Sequence, residues 1–245
     1  MTERVRATRP HTGLTEDGRR VREVLSYTRR ASRLSDRQAE VWERRHRDWW
    51  VADEAVDDPG FDVRETFDRD APLVVEIGSG IGEATAALAA LRPEVNVLAF
   101  EVWHPGVAQT FLRLEELGVA NVRMVSVDAV WSMEHLLGER WVTELWTFFP
   151  DPWPKNRHER RRLVDARFAR LAATRLVPGG LWRLATDWAP YAQQMTDVLD
   201  AEPLLDNVYD GPAPRWSQRP VTRFERRGIR AGHTVTDLAY RRREG

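Results

Sequence analysis

Five carboxylate side chains stand where short apolar segments of the sequence end. Each follows a stretch with the composition of a buried strand, and together they are Glu76, Glu101, Asp128, Asp151 and Asp187. In open α/β sheets, ligands bind beyond the carboxyl ends of the strands. Carboxylates at that edge accept hydrogen bonds from hydroxyl and amino groups and stabilise a developing positive charge. The pattern therefore predicts a ligand site at one edge of a sheet.

Asp151 lies in the stretch FFPDPWPKNRHERRR, residues 148–162, in which prolines on both sides restrict its backbone. The single lysine of the chain, Lys155, follows it closely, although the chain has 37 Lys and Arg residues in total. Five more basic residues lie just beyond: Arg157, His158, Arg160, Arg161 and Arg162. A fixed acid beside a run of cations fits a site that binds a polyanion. The alternative is that the run forms a solvent-exposed helix face without a binding role.

The first of these segments is followed by the glycine loop EIGSGIGE, residues 76–83. Glycines allow the backbone to approach a ligand closely, and the next helix offers free N–H groups to an anion. The dinucleotide fingerprint requires Gly or Ala where Glu83 stands, and a carboxylate there would repel a pyrophosphate. Nicotinamide cofactors therefore fit poorly. A tight turn flanked by capping acids is the alternative to a ligand loop.

Apolar and helical segments alternate regularly from residue 73 onward. The predicted strands span residues 73–77, 95–100, 121–127, 144–149, 181–186 and 233–241. The predicted helices span residues 83–91, 105–118, 130–138, 159–175, 188–200 and 222–228, with a turn at 177–180. Near-continuous apolar strands that alternate with helices are typical of a mostly parallel sheet covered on both faces. We expect a doubly wound α/β domain with a seven-stranded, Rossmann-like sheet.

The charge of the chain is divided into blocks, although the net value is only −1. Residues 1–50, 151–170 and 215–245 carry net charges of +5, +4 and +6, whereas residues 51–150 carry −12. Basic blocks beside an acidic body fit a protein with one face that meets nucleic acid. For any single block, a solvated arginine-rich surface is the alternative.

The domain organisation follows from the same patterns. Residues 1–50 are expected to form a basic N-terminal arm and a helix that begins at a capping box, Ser35–Gln38. Residues 51–72 are acidic and irregular and are expected to be a linker. Residues 73–245 are expected to form the α/β domain.

Composition excludes several classes of site. The chain has no cysteine, so disulfides and thiolate metal sites are ruled out. Its 6 histidines are scattered without zinc-like spacing, which predicts no metal. No apolar run approaches the roughly 18 residues that span a bilayer. The N-terminus lacks the apolar region of a signal peptide, and we expect a cytoplasmic protein.

The form E-x-G-x-G-x-G resembles the first motif of S-adenosylmethionine-dependent methyltransferases. That cofactor has no phosphate, and it presents an ammonium, a carboxylate, a sulfonium, a ribose and an adenine. The contacts that the resemblance implies are Glu76 with the ammonium, the amides of Gly78, Gly80 and Gly82 with the carboxylate, Glu101 with the ribose hydroxyls, and Asp128 with the adenine amino group.

The stretch FPDPWPKNRHERRR resembles the characteristic motif of the bacterial tRNA (guanine-N7)-methyltransferase family. Further stretches resemble the same family in the correct order, and the resemblance covers about residues 26–232. They are SYTRRASRLSDRQAEVW, VVEIGSGIGE, FEVWHPGV, NVRMVSVDA, ATDWAPYAQQM and TRFERRG. The sequence departs from the family at Ser79 and in its arginine-rich N-terminus, and neither departure touches a proposed catalytic group.

The resemblance implies methyl transfer from S-adenosylmethionine to N7 of guanosine 46 in the tRNA variable loop, without a metal. Guanine N7 has a lone pair and no proton, so displacement needs alignment and electrostatic stabilisation rather than an obligatory base. The family makes the residue that matches Asp151 catalytic. Its carboxylate, which would also lie against the cofactor, would grip guanine and offset the developing charge. We expect tRNA as the partner of a monomer or homodimer, with no membrane or obligate protein partner.

The resemblance also implies a set of substrate contacts. They are Lys155, Asp187, Thr222, Arg223, Phe224 and Glu225, with the basic run from Arg157 to Arg162 following the RNA backbone. Structural alternatives exist for some of them. Asp187, with Thr186, could cap the helix at residue 188, and Thr222 could simply begin a helix.

Two other functions are kept as alternatives. The first is a methyltransferase of this class that acts on another RNA or on a small molecule, which the basic blocks disfavour. The second is a non-catalytic RNA-binding protein, which the intact glycine loop and Asp151 disfavour. Transfer of labelled methyl groups to tRNA and calorimetric binding of the cofactor discriminate the three.

Overall fold

The computed structural model describes residues 33–244, in which seven strands form one sheet of order β3-β2-β1-β4-β5-β7-β6. Residues 1–32, most of the expected basic arm, lie outside the described residues. The strands are β1 Leu73–Ile77, β2 Asn96–Phe100, β3 Val122–Val125, β4 Val142–Phe148, β5 Leu176–Thr186, β6 Leu205–Asn207 and β7 Thr236–Arg242.

Strands β1 to β5 are mutually parallel, and β7 pairs antiparallel with both β5 and β6. The strand order reverses between β1 and β4, which is the switch point where ligands bind in such sheets. The doubly wound, mostly parallel, seven-stranded sheet is therefore confirmed. Strand β6 escaped prediction because its three residues are too few to show a period of two.

Helices cover both faces of the sheet. They are α1 Asp36–Trp49, α2 Glu83–Leu91, α3 His104–Leu117, α4 Ala129–Leu136, α5 Ala166–Arg175, α6 Ala189–Asp200 and α7 Arg223–Arg230. Helices α1, α2 and α3 bury residues such as Val41, Leu88 and Phe111 in one core cluster. Helices α4, α5 and α6 contribute residues such as Phe168 and Tyr191 to the other.

Helix α1 begins as its sequence predicts. The Ser35 hydroxyl accepts from the Gln38 backbone N–H at 3.4 Å, and the Gln38 side chain accepts from the Ser35 N–H at 3.0 Å. The Gln38 amide also donates to the Pro105 carbonyl at 3.0 Å, at the start of α3. The capping box therefore also joins α1 to the helix that follows β2.

The segment 51–72 is more ordered than the expected linker. It contains two short 3-10 helices, Asp53–Asp57 and Val63–Phe67, whose apolar side chains join the core. The Val51 N–H donates to the Met124 carbonyl at 2.9 Å, beside β3. Its acids dominate the sequence pattern, but its buried apolar residues decide the conformation.

The long helix predicted for residues 159–175 is wrong. A 3-10 helix, Asn156–Arg161, is followed by an irregular turn and then by α5. Leu163 and Val164 are buried, and the Val164 N–H donates to the Tyr191 hydroxyl at 3.0 Å instead of continuing a helix. Asp165 then starts α5 by accepting from the Phe168 N–H at 2.8 Å. The basic run consequently does not stand at the N-terminus of an α-helix.

The turn predicted at residues 177–180 is also absent as a separate element. These residues belong to β5, where the register against β4 shifts between Val142 and Glu144. Gly179, with φ +75°, adopts the left-handed conformation that this irregularity requires.

Candidate functional site

A cavity of about 490 Å³ opens at the carboxyl ends of the parallel strands. Its walls come from the loops after β1, β2, β3 and β4 and from one face of α7. Of the five predicted strand-end acids, four line it: Glu76, Glu101, Asp128 and Asp151. The structure therefore brings these four carboxylates together at the switch point of the sheet.

The glycine loop turns through three left-handed residues, Gly78, Gly80 and Gly82, with φ of 76°, 61° and 74°. At Gly82 a side chain is also excluded by space, since a Cβ there would lie 2.4 Å from the Thr110 hydroxyl. The loop thus follows a path that other residues adopt only with strain.

The expected donation from these loop amides to a ligand carboxylate is not what the structure shows. The Gly78 N–H donates to the Phe100 carbonyl at 2.9 Å, the Gly80 N–H to Glu101 Oε2 at 2.6 Å and the Gly82 N–H to the Ser79 carbonyl at 2.9 Å. All three donors are satisfied within the protein, so the loop shapes the cavity wall rather than supplying these hydrogen bonds.

Glu76 is a buried acid, only 2% exposed, at the base of the cavity. Its Oε2 accepts a hydrogen bond from the Thr85 hydroxyl at 2.5 Å. Burial raises the pKa of Glu76 to about 7; the Thr85 hydrogen bond opposes this, and the charge of Glu101 adds to it. A cation placed beside Glu76 would favour its ionised form.

Glu101 and Asp128 are oriented by backbone donors. Glu101 accepts from the Gly80 N–H at 2.6 Å and from the Trp103 N–H at 2.8 Å, one on each oxygen. Carboxylate oxygens carry two lone pairs each and accept readily from hydroxyl groups. Asp128 Oδ1 caps α4 by accepting from the N–H groups of Val130 and Trp131 at 3.0 and 3.2 Å. Asp128 is therefore the N-cap of α4, and it also lines the cavity.

Asp151 is held between two strained aromatic residues. Phe149 and Trp153 have φ of 53° and 44°, a region that bulky side chains rarely occupy. The Phe149 N–H donates to the Ala185 carbonyl at 2.7 Å, and Arg162 Nε donates to the Pro152 carbonyl at 2.8 Å. Such strain persists only when the surroundings impose it, and it concentrates at functional sites.

The basic run after Asp151 divides into buried and exposed members. Arg162, expected on RNA, has a side chain only 3% exposed, and it also donates to Gln194 Oε1 at 2.6 Å. It is therefore a structural residue, which corrects the prediction. The Arg161 guanidinium lies 3.5 Å from the centroid of the Trp153 ring. This contact gives Trp153 a packing role at the surface.

Lys155, Arg157 and Arg160 are exposed, and His158 is partly so. Partial burial, together with the positive charges of Arg157, Arg161, Lys155 and Arg160, lowers the pKa of His158. These four residues follow the lining residue Asp151 in the sequence, but they do not line the cavity themselves. They form a cationic surface next to the Asp151 loop.

The TRFE motif begins α7, and its members have different surroundings. Thr222 caps the helix by accepting from the Glu225 N–H at 3.2 Å, and Thr222, Arg223 and Phe224 line the cavity. Glu225, expected to contact substrate, is only 1% exposed and accepts from the guanidinium groups of Arg215 and Arg219. Its buried position corrects that expectation: Glu225 anchors α7 to the protein.

Asp187 anchors the other end of α7. Its Oδ2 lies 3.0 Å from His233 Nδ1, and a Cβ on Gly228 would lie 2.6 Å from the same oxygen. The helix that follows, α6, has no side-chain cap, so the capping alternative for Asp187 is wrong. Asp187 also lies outside the lining of the cavity.

Several residues that the sequence alone did not single out for this site also line the cavity, among them Trp103, Phe149, Pro150 and Arg227. Phe149 also packs against Phe224, with ring centroids 5.3 Å apart. Arg227 follows Arg223 by four residues, so helical spacing from the TRFE motif would have placed it on the same face.

The described part of the chain contains neither a candidate metal site nor a membrane-spanning helix. Within residues 33–244, no group of three or more histidines and acids is arranged to hold a metal ion. In the same range, none of the helices has the length and apolar character needed to cross a bilayer.

Comparison with known proteins is consistent with this geometry. The family model described as "Putative methyltransferase" matches residues 70–238. Among solved structures, the 16S rRNA methyltransferase KamB superposes with a TM-score of 0.52 at 16% identity, covering 74% of this chain and 92% of that one. Fold and site together define a class I S-adenosylmethionine-dependent methyltransferase.

Similar proteins of known name identify the family within this class of methyltransferases. A protein of Nocardioides sp. (strain ATCC BAA-499 / JS614) is 62% identical over 98% of this chain and 95% of its own length. A protein of Cutibacterium acnes (strain DSM 16379 / KPA171202) is 46% identical over 94% and 87%. Both are named tRNA (guanine-N(7)-)-methyltransferase. The chain belongs to this family, which confirms the resemblance of its motifs.

Proposed function

We propose that this enzyme transfers the methyl group of S-adenosylmethionine to N7 of guanosine 46 in the tRNA variable loop, giving 7-methylguanosine. The names of its relatives support tRNA as the substrate and guanine N7 as the acceptor. The observation on which the proposal depends most is the position of Asp151, at the end of β4 in a cavity shared with Glu76, Glu101 and Asp128.

The cavity suits S-adenosylmethionine in size and in chemistry. Its volume of about 490 Å³ lies within the range of small-molecule sites. When bound, the cofactor supplies an electrophilic methyl group on a sulfonium. Glu76 would pair with its ammonium, Glu101 would accept from its ribose hydroxyls, and Asp128 would contact its adenine. Because the amides of Gly78, Gly80 and Gly82 are engaged, its carboxylate would need another donor, and the guanidinium of Arg223, which lines the cavity, is the candidate.

Asp151 would serve the reaction by alignment and charge. Guanine N7 presents a lone pair and no proton, so the chain need not remove a proton before transfer. Its task is to hold N7 in line with the methyl group and to offset the positive charge that develops on the purine. A carboxylate fixed between the strained residues Phe149 and Trp153 loses little freedom when it does so.

The exposed cations beside the Asp151 loop would guide the RNA. Lys155, Arg157 and Arg160 are exposed, as phosphate contacts require. They follow Asp151 closely in the sequence. The Phe224 side chain is 52% exposed and packs on Phe149, so it offers an aromatic face to an unstacked base. The guanosine would enter between this face and Asp151.

The chain would comprise a basic arm and capping helix at residues 1–50, a segment at residues 51–72 and a methyltransferase domain at residues 73–245. It would act in the cytoplasm as a monomer or homodimer, without a metal.

One experiment tests the proposal directly. Purified enzyme is incubated with labelled S-adenosylmethionine and unmodified tRNA, and the product is cleaved with borohydride and aniline, which break the chain at 7-methylguanosine. We expect incorporation at position 46 only. Incorporation at another base, or transfer to small molecules but not to tRNA, would overturn the assignment. Cofactor binding without any transfer would favour a non-catalytic RNA-binding role.

A further inference from the structure

Arg227 is a cation that lines the cavity and has no partner among residues 33–244. Its side chain is exposed and makes no hydrogen bond or ion pair with any residue in the range 33–244. It shares one face of α7 with Arg223 and Phe224, since residues three and four apart lie together on a helix, and all three line the cavity. An unpaired guanidinium at this position is available to a ligand.

The position of Arg227 is fixed because α7 is held at both ends. At its start, the Arg223 N–H donates to Glu83, on the helix that follows the glycine loop. Near its end, Gly228 packs on Asp187, and the Gly228 carbonyl accepts from the His233 N–H at 3.0 Å. Arg227 therefore lies one turn, about 6 Å, from Arg223 toward the end of β5.

The charge of the cavity restricts what Arg227 can bind. Five other lining residues carry carboxylates: Glu76, Glu83, Glu101, Asp128 and Asp151. They favour the cationic and hydroxyl groups of the cofactor but repel phosphate. A nucleotide that brings its base to Asp151 also brings a phosphate, and a guanidinium binds phosphate through paired hydrogen bonds. Arg227 precedes Gly228, which packs on Asp187, whereas Arg223, one turn earlier, lies next to Glu83 beside the glycine loop.

We propose that Arg227 binds a phosphate of the nucleotide that is methylated. This inference rests on the proposed function, because it assumes that RNA reaches the cavity. Arg227 would fix the backbone of the target nucleotide while Asp151 positions its base. It would thus be a substrate-binding residue in the cavity itself, distinct from the exposed cations beside the Asp151 loop.

The test compares Arg227→Gln with Arg230→Gln. Arg230 lies on the same helix and is exposed, but it does not line the cavity, so it controls for loss of one positive charge. For Arg227→Gln we expect KM for tRNA to rise about tenfold and the slope of log Kd against log salt to fall by about 1, with KM for S-adenosylmethionine unchanged. For Arg230→Gln we expect values close to wild type.

Each other outcome has a definite meaning. A rise in KM for S-adenosylmethionine alone would show that Arg227 binds the cofactor carboxylate, and it would overturn the inference. Equal effects of the two substitutions would show that Arg227 acts only through net charge, with the same consequence. Failure of the wild-type enzyme to methylate tRNA would refute the proposed function instead. Thermal unfolding of both variants checks that α7 remains folded. We expect an unchanged midpoint, because neither side chain has a partner within the described range 33–244.

Discussion

At the scale of single residues, the protonation of Glu76 should govern cofactor binding. Burial raises the pKa of Glu76 to about 7, above its ordinary value of 4.5, so the ligand-free protein holds a proton there below neutral pH. An ammonium beside this carboxylate favours the ionised form, and binding at acid pH must therefore remove the proton. Affinity should rise with pH through 7, and the Kd should be roughly tenfold higher at pH 6 than at pH 7.5.

Isothermal titration with S-adenosylhomocysteine, which has the same ammonium and cannot react, measures this dependence. Glu76→Gln is the control, because an amide has no proton to lose in this range. Its binding should be weaker and nearly independent of pH. If both proteins showed the same pH profile, another group would be responsible.

Asp151 provides a second prediction at this scale. Asp151→Ala removes the carboxylate at the reacting end of the cavity and leaves Glu76, Glu101 and Asp128 in place. Loss of one preorganised electrostatic contact costs about 10²–10³ in rate, so methyl transfer should fall at least that far while cofactor affinity changes little. Single-turnover transfer and calorimetry separate the two quantities. Near-normal turnover would contradict the role assigned to Asp151.

At the scale of elements, the glycine loop owes its path to two separate constraints. Gly80 and Gly82 both have left-handed φ values, but only Gly82 also lies against the Thr110 side chain. Gly80→Ala should cost about 1–2 kcal/mol of unfolding free energy from backbone strain alone. Gly82→Ala should cost about 1–3 kcal/mol more, because its Cβ would overlap Thr110. Urea unfolding without cofactor gives both values, and equal losses would show that the contact with Thr110 relaxes freely.

The elements also show what a sequence can and cannot disclose. Alternating apolar segments predicted β1 to β5 and β7 because burial on both faces leaves a clear pattern in each strand. The break before Asp165 was missed because Leu163 and Val164 have the composition of a helix interior, and only the contact with Tyr191 ends the helical pattern. Contacts between residues that are distant in the sequence therefore determine where such a helix ends.

The same limit applies to the site. Strand-end position predicted that five acids would meet, since the topology places strand ends together. Four of them do, whereas Asp187 lies outside the cavity. The sequence did not predict that Arg162 and Glu225 would be buried, because charge alone does not indicate which partner a side chain finds. Arg162 reaches Pro152 and Gln194, and Glu225 reaches two arginines.

At the scale of the whole molecule, charge is divided between an acidic body and basic blocks. Residues 51–150 have a net charge of −12, and residues 151–170 have +4. This division should keep a polyanion away from the acidic body and favour the basic blocks, among them the surface next to the Asp151 loop. Binding of tRNA should therefore depend on the exposed cations of these blocks.

Arg157 and Arg160 are exposed, whereas Arg162 in the same run is buried, so the three residues separate RNA contact from structure. Arg157→Ala with Arg160→Ala should weaken tRNA binding and reduce the slope of log Kd against log salt by roughly 1.5–2, with an unchanged unfolding midpoint. Arg162→Ala should instead lower the free energy of unfolding by roughly 2–4 kcal/mol, because it removes the bonds to Pro152 and Gln194. Its salt slope should equal that of the wild type. An unchanged slope in the double variant, or a reduced slope in Arg162→Ala, would show that the RNA follows a different path across the molecule.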